Sequence, residues 1–305
     1  MHRAWAFPGL GAGLAPSERS FYAAHAAHTR PLLELAAAAA QEDLLEAVAG
    51  PGHEVTAAAQ ELLVHALNCA AGAIALQHGL RPALVLGHSL GLYAALVAAG
   101  SLSYPESLAV IRSARQEVCR ACRPGDYALL VVVGLHESDV LALITGTGAT
   151  ATAIVNRNSA VAFALAGPPA ELRQISADAT RQGAFKVALL TADLPYHHPA
   201  LLAAVSAPFR EALQQYEWAV PAIPVFSTVD QQPLETVPEL IDYTTRNLVT
   251  PVDWWGTVRA LHGLGVNQVI ETGPGRSLLR AAAFIEPSPP HLALAQALQR
   301  GSPSR

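Results

Sequence analysis

Residues 83–99 constrain the fold more tightly than any other stretch. Ala83-Leu84-Val85-Leu86 is a short apolar run of the kind that forms a buried strand, and the helical pattern Leu92–Ala99 follows five residues later. Between them lies Gly87-His88-Ser89-Leu90-Gly91. A strand, a turn of this kind and a helix in immediate succession form the strand–nucleophile–helix elbow of α/β folds. The two glycines give room where side chains would strike the neighbouring strand or helix. The serine hydroxyl is thereby presented at a helix N-terminus, where backbone N–H groups stabilise an oxyanion. Ser89 is therefore expected to be the nucleophile of an enzyme that carries an acyl group as an ester.

The rest of the chain supplies the scaffold for such a turn. Ala4–Phe7 reads as a buried strand that stops at Pro8-Gly9. Leu32–Val48 and Ala57–Gly79 read as helices. From Tyr127 to Leu190 the rhythm changes. Leu129–Val133 reads as a strand, His136–Ile144 as a helix, and Ala151–Val155 and Ala160–Ala166 as strands flanking a loop at Asn156-Arg157-Asn158-Ser159. Pro169–Gly183 then reads as a helix and Phe185–Leu190 as a strand. This β-α-β-β-α-β order is ferredoxin-like. The expectation is an α/β catalytic domain of residues 1–126 and 191–305, interrupted by a ferredoxin-like subdomain at 127–190. In the resumed domain Val225–Val229 and Gln268–Glu271 read as strands, and Glu239–Leu248 and Trp254–Leu264 as helices. The tail 287–305 reads as partly disordered.

Composition excludes several function classes. Of the 305 residues 51% are hydrophobic and 14% charged, with a net charge of -5, which fits a globular chain and not a nucleic-acid binder. Apolar runs such as Leu96-Val97-Ala98-Ala99 are too short to span a membrane, and the N-terminus does not read as a signal peptide. A cytoplasmic monomer is expected. Cys69, Cys119 and Cys122 give no disulfide framework, and Cys119-x-x-Cys122 lacks the second pair that zinc binding needs. No metal or cofactor is expected. The Gly273-Pro274-Gly275 turn is read as structural, since proline removes an N–H that a phosphate loop would use.

A nucleophilic serine needs a base. Of the twelve histidines, His65, His78 and His262 read as surface or helix residues. His88 should point away from the attacking face of Ser89. His197 and His198, in Leu194-Pro195-Tyr196-His197-His198-Pro199, lie where the chain returns from the insertion. Spacing alone does not choose between them.

Several segments together resemble the malonyl-CoA:acyl-carrier-protein transacylase family, including the acyltransferase domains of polyketide synthases. Phe7-Pro8-Gly9-Leu10-Gly11 is similar to its F-P-G-Q-G, and Gly87–Gly91 to its G-H-S-x-G. Asn156–Ser159 with Ala166-Gly167 is similar to N-x-N-S…A-G, and Tyr196-His197-His198-Pro199 to S-H-x-P. Arg246-Asn247-Leu248 with Pro251-Val252 and Trp254 is similar to R-N-L…P-V-x-W/F, and Glu271–Gly275 to E-x-G-P-G. The resemblance covers nearly the whole chain. It implies an α/β-hydrolase-like large domain with a ferredoxin-like insertion. It also implies that His197 is the base, that a main-chain carbonyl near Asn247 orients it, and that the N–H groups of Leu10 and Leu90 form the oxyanion hole. The implied partners are an acyl carrier protein, through its phosphopantetheine thiol, and acyl-CoA. Arg173, Arg181 or Arg276 offer contacts for an acidic carrier.

The departures from the pattern all run in one direction. The family's arginine that pairs with the malonyl carboxylate aligns with Ala114, and the neighbouring Arg112 and Arg115 point elsewhere by roughly 100° per residue of helix. Leu92 stands for a glutamate, Leu10 for a glutamine, Ala12-Gly13 for a polar pair and Ala162 for a glutamine. A carboxylate buried without a partner costs several kcal/mol. The expected cargo is therefore a non-carboxylated acyl group, in a pocket formed by Ala114, Leu92, Tyr196 and Leu194. Three alternatives stay open: hydrolysis of acyl groups from carrier proteins, malonyl transfer with Arg112 or Arg115 brought in by a helix shift, and a non-catalytic carrier-binding module.

Overall fold

The computed structural model describes residues 2–11, 14–50 and 53–301. The strands, in chain order, are β1 (Arg3–Phe7), β2 (Leu84–Gly87), β3 (Ala128–Val133), β4 (Ala153–Ser159), β5 (Ala162–Gly167), β6 (Lys186–Thr191), β7 (Val225–Phe226), β8 (Pro233–Leu234), β9 (Val252–Asp253), β10 (Gln268–Glu271) and β11 (His291–Ala293). They form a six-stranded sheet in the order β11-β10-β1-β2-β7-β8 and a five-stranded sheet in the order β6-β3-β5-β4-β9. The larger sheet is parallel except at the β7–β8 edge.

Both faces of the larger sheet are covered, as a parallel sheet requires. Side chains alternate along β1. Trp5 and Phe7 join one core with the helix Ala57–Gln77, while Ala4 and Ala6 join a second core with the helix Trp254–Gly263. All four are essentially inaccessible to solvent. The helix Ala57–Gln77 is long and apolar enough to span a membrane by composition, contrary to the expectation of short apolar runs only, but 83% of that stretch is buried inside the protein. It is a core helix that fills the space under β1.

The smaller sheet has its own core, built from Leu130, Val132, Phe163 and Leu165 of β3 and β5 and from Val140, Leu143, Leu172 and Ile175 of the helices Glu137–Gly146 and Pro169–Arg181. Its fifth strand, β9, comes from outside 127–190 and pairs with Asn156 and Arg157. The smaller sheet is thus completed by a strand from the segment that follows the helix Val237–Val249.

Three sequence expectations are corrected. The stretch Leu32–Val48 is two helices, Ala26–Ala40 and Leu44–Ala49, because Gln41 takes a left-handed conformation with φ 59° and ends the first. Asn156–Ser159 is not a loop but the second half of β4, bulged twice against β5. The tail is ordered through 301: His291–Ala293 is an edge strand on β10, and Leu294–Gly301 is a helix. His65, read as a surface or helix residue, is a helix residue; it is fully buried, stacks on Tyr104 and bonds Ser107. Cys122 lies at the C-cap of the helix Tyr104–Ala121, just beyond its last turn, and all three thiols are free. The expectations for Ala12-Gly13 and for the last four residues of the tail fall outside the described residues.

Candidate active site

Ser89 sits on the tight turn between β2 and the helix Gly91–Ala98, with φ 55°. A non-glycine residue pays strain to adopt this conformation, and the surroundings hold it there. His88 N–H donates to the Phe7 carbonyl at 2.9 Å, and Gly91 N–H to the His88 carbonyl at 3.0 Å. The two flanking glycines are sterically required. A Cβ on Gly87 would lie 2.0 Å from the Leu92 nitrogen, and one on Gly91 would lie 2.0 Å from the Phe7 oxygen. The turn is thus pressed against β1 and the loop that carries Leu10.

The facing histidine is His197. Its Nε2 lies 2.6 Å from Ser89 Oγ, and its Nδ1 lies 2.6 Å from the Asn247 carbonyl. A carbonyl can only accept, so Nδ1 carries the proton and Nε2 presents its lone pair to the serine hydroxyl. His197 N–H also donates to the Leu248 carbonyl at 3.0 Å. Both carbonyls belong to the last turn of the helix Val237–Val249, where helical carbonyls have no intrahelical partner. The imidazole therefore rests on the negative end of a helix, which favours its protonated form as that form arises. At rest burial dominates and lowers the His197 pKa to about 4, only partly offset by the carbonyls of Asn247 and Thr250.

His198 is otherwise employed. Its Nδ1 accepts from Leu201 N–H at 3.2 Å and its Nε2 donates to the Ala151 carbonyl at 3.2 Å, bracing the smaller sheet. His88 Nε2 accepts from Asn156 Nδ2 at 2.9 Å, and the residue lines the outer cavity with Ser89 and His197. Asn247 contributes chiefly through its backbone, since its amide nitrogen lies 3.5 Å from the Ser89 carbonyl.

Two cavities open on Ser89. The inner one, about 40 Å³, is lined by Leu10, Glu61, Ser89, Leu90, Tyr93, Ile111, Ala114, Tyr196, His197, Asn247 and Leu248. The outer one, about 620 Å³, runs between the two sheets past Leu129, Asn156, Leu190 and Leu194 to Ser89 and His197. Leu10, Leu90, Ala114, Tyr196 and Leu194 therefore border the site. Leu92 does not; it is fully buried and belongs to neither lining, because the helix turns it into the core. Arg112 and Arg115 are absent from both linings and border a separate groove that also reaches Glu61 and Ile111. Arg112 is exposed. Arg115 donates to Glu61 at 2.8 Å and pairs with Asp193. Of the surface arginines, Arg173 is exposed, Arg181 pairs with Asp178 on its own helix, and Arg276 borders a groove with Gly9 and Gly11.

The sequence reading missed Glu61, Tyr93, Ile111 and Leu248. Glu61 is 4% exposed. Its Oε1 accepts from Arg115 Nη1 and, at 2.9 Å, from the Tyr196 hydroxyl. Burial raises its pKa to about 7 against the lowering effect of Arg115. The visible signal was a lone acidic residue inside the otherwise apolar helix Ala57–Gln77.

The turn after β10 is tied into the fold by its own hydrogen bonds and packing. Glu271, fully buried, accepts from Leu278 N–H at 3.1 Å and Leu279 N–H at 2.9 Å, capping the helix Ser277–Ala282. Gly273 packs against Pro8 and Asn68, and Asn68 donates to the Pro8 carbonyl at 2.8 Å. The Leu10 loop is thus held from behind.

The acyl transferase domain family matches residues 8–302. A malonyl CoA-acyl carrier protein transacylase of Escherichia coli O157:H7 is 27% identical, with 97% of this chain and 98% of that protein covered. The polyketide biosynthesis protein ThaF of Burkholderia thailandensis is 30% identical over 201 residues, which is 65% of this chain but 17% of that longer protein. Among solved structures, an acyl-carrier-protein S-malonyltransferase from Burkholderia pseudomallei superposes with a TM-score of 0.87 at 28% identity, covering 98% of this chain and 100% of that one.

Proposed function

The chain belongs to the acyl transferase domain family, and on that premise we propose that it moves a non-carboxylated acyl group from a CoA or carrier-protein thioester, through an ester on Ser89, to an acyl carrier protein of a fatty-acid or polyketide pathway. In this reading the parallel sheet is the core of an α/β-hydrolase-like domain, and 127–190 form a ferredoxin-like insertion.

The chemistry follows from the distances. His197 Nε2 takes the Ser89 proton as Oγ attacks the thioester carbonyl. The carbonyl electrons move to oxygen, and the N–H groups of Leu90 and Leu10 stabilise that oxyanion. Leu90 is the N-cap of the helix Gly91–Ala98, so the positive end of one helix meets the oxyanion while the negative end of another meets the imidazolium. Collapse breaks the C–S bond, and the departing thiolate receives the proton from His197. In the second half His197 deprotonates the phosphopantetheine thiol of the carrier. The thiolate attacks the ester, and Ser89 Oγ leaves with the returned proton. The outer cavity supplies the length for the pantetheine arm.

The observation that carries the choice of cargo is the lining of the two cavities. Neither contains Arg or Lys, and the inner one contains Ala114, Ile111 and the carboxylate of Glu61. The malonyl transferases to which the chain is similar are named for a carboxylated substrate; here such a carboxylate finds no cation. The test is the intact mass of the protein after exposure to malonyl-CoA and to butyryl thioesters. A butyryl mass shift on Ser89 without a malonyl shift is expected, and preferential malonylation overturns the reading. Following free acid against acylated carrier in the same time course decides whether carrier thiol or water resolves the ester.

A further inference from the structure

The inner cavity is not merely stripped of its cation; it carries an acceptor. Glu61 is nearly inaccessible to solvent yet lines the space in front of Ser89. Both of its hydrogen bonds fall on Oε1, from Arg115 and from Tyr196. Oε2 carries neither of these bonds, and the residue lines the inner cavity. The charges do not balance locally: Glu61 and Asp193 share the one guanidinium of Arg115. Arg115 is engaged by these two partners and lines neither cavity, so at pH 8, where Glu61 is ionised and where the rates below are read, the field inside is that of the surplus carboxylate.

We propose that Glu61 selects short acyl groups bearing a hydrogen-bond donor, a hydroxyl or an ammonium, at the end remote from the carbonyl. The physical argument has three parts. A carboxylate lining a narrow, mostly apolar cavity gains free energy from a donor that the substrate brings against it. A second carboxylate placed against it is repelled, which disfavours malonyl groups beyond the loss of a cation. The volume sets the length: about 40 Å³ holds roughly three water-sized groups, hence about three non-hydrogen atoms beyond the carbonyl. The remaining wall, Tyr93, Ile111, Ala114 and Leu248, packs the methylenes and leaves Glu61 as the acceptor for the terminal group.

This inference rests on the proposed acyl transfer and narrows its substrate class. The test uses four N-acetylcysteamine thioesters of matched length: 3-hydroxypropionyl, 3-aminopropionyl, butyryl and malonyl. The rate of Ser89 acylation is read by intact mass. At least one donor-bearing acyl group is expected to react ten-fold or more faster than butyryl, with malonyl slowest, and the faster of the two identifies the donor. Glu61→Gln keeps the size and an oxygen for Arg115 and Tyr196 but removes the charge. It is expected to lower the ratio of 3-aminopropionyl to butyryl rates at least ten-fold if the ammonium is preferred, and to raise malonyl relative to butyryl in either case. Butyryl reacting as fast as both donor-bearing groups overturns the inference and leaves the proposed function standing. Malonyl reacting fastest overturns the proposed function itself. Should the variant not fold, the wild-type panel alone still decides.

Discussion

Lowering the pH from 6.5 to 4.5 is expected to weaken the fold through histidines that the folded chain keeps neutral. Burial lowers the pKa of His65 to about 3 and of His88 and His197 to about 4, against 6.5 in an unfolded chain. Across this window the unfolded chain therefore binds three protons that the folded chain refuses. Glu61 acts in the opposite sense: burial raises its pKa from 4.5 to about 7, so the folded chain holds one proton that the unfolded chain releases. The balance is about two protons in favour of the unfolded state. Stability then falls by about 2.7 kcal/mol per pH unit, or about 5 kcal/mol over the window. His198 and His291 add in the same direction and Glu271 in the other. Against a total stability of roughly 5–15 kcal/mol, this is enough to bring the protein close to unfolding near pH 4.5. Urea melts at pH 7.5, 6.5, 5.5 and 4.5 measure it. His65→Gln removes one of the three protons at a residue remote from Ser89, so its stability should fall by about 1.4 kcal/mol less per pH unit than the wild type's. A midpoint that is flat from pH 6.5 to 4.5, or an unchanged slope in His65→Gln, refutes the reasoning.

Further outcomes follow from the site. Because His197 is neutral down to about pH 4, the rate at which folded protein is acylated by a butyryl thioester, which has no terminal donor or charge for Glu61 to act on, should stay level between pH 8 and pH 5.5 in stopped-flow measurements. Ser89→Ala should show no acyl mass shift with any thioester, and His197→Ala should slow acylation by about 10²–10⁴-fold at unchanged melting temperature near neutral pH. Asn247→Ala should slow it less than ten-fold, since the carbonyl that holds His197 remains in place. Gly91→Ala should abolish soluble folding, because its new Cβ would meet the Phe7 carbonyl oxygen at 2.0 Å, which is backbone and cannot swing aside.

How far the sequence could be read depended on how local each signal was. The elbow was legible because Gly87, Ser89 and Gly91 are required within five residues, by contacts with strands that their own neighbours form. The base was legible as a pair, His197 or His198. Only the bonds made by their second ring nitrogens separate them, and those run to residues 247 and 151. Asn156–Ser159 was misread because its polar residues lack alternation; it extends because β5 pairs it on one side and β9 on the other. The tail was misread because Pro287, Pro289 and Pro290 surround a three-residue strand stabilised by β10, some twenty residues earlier in the chain. Glu61 escaped notice because its helix was read for its apolar length. What holds Glu61 at the site is Arg115 and Tyr196, which arrive from other elements. Leu92 was over-read for the complementary reason: one position in a motif does not reveal that the helix turns it inward.

The base of this site leans on two carbonyls and on no acidic side chain, and that has an evolutionary consequence. Every residue has a carbonyl, so no substitution at 247 or 248 can delete the group that holds His197. Only a change that unwinds the end of that helix can. In the proposed reaction the orientation of His197 is thus written in the backbone, while the choice of cargo is written in side chains such as Ala114, Ile111 and Glu61. Such a division lets a lineage exchange one acyl group for another by ordinary point mutations without passing through an inert intermediate.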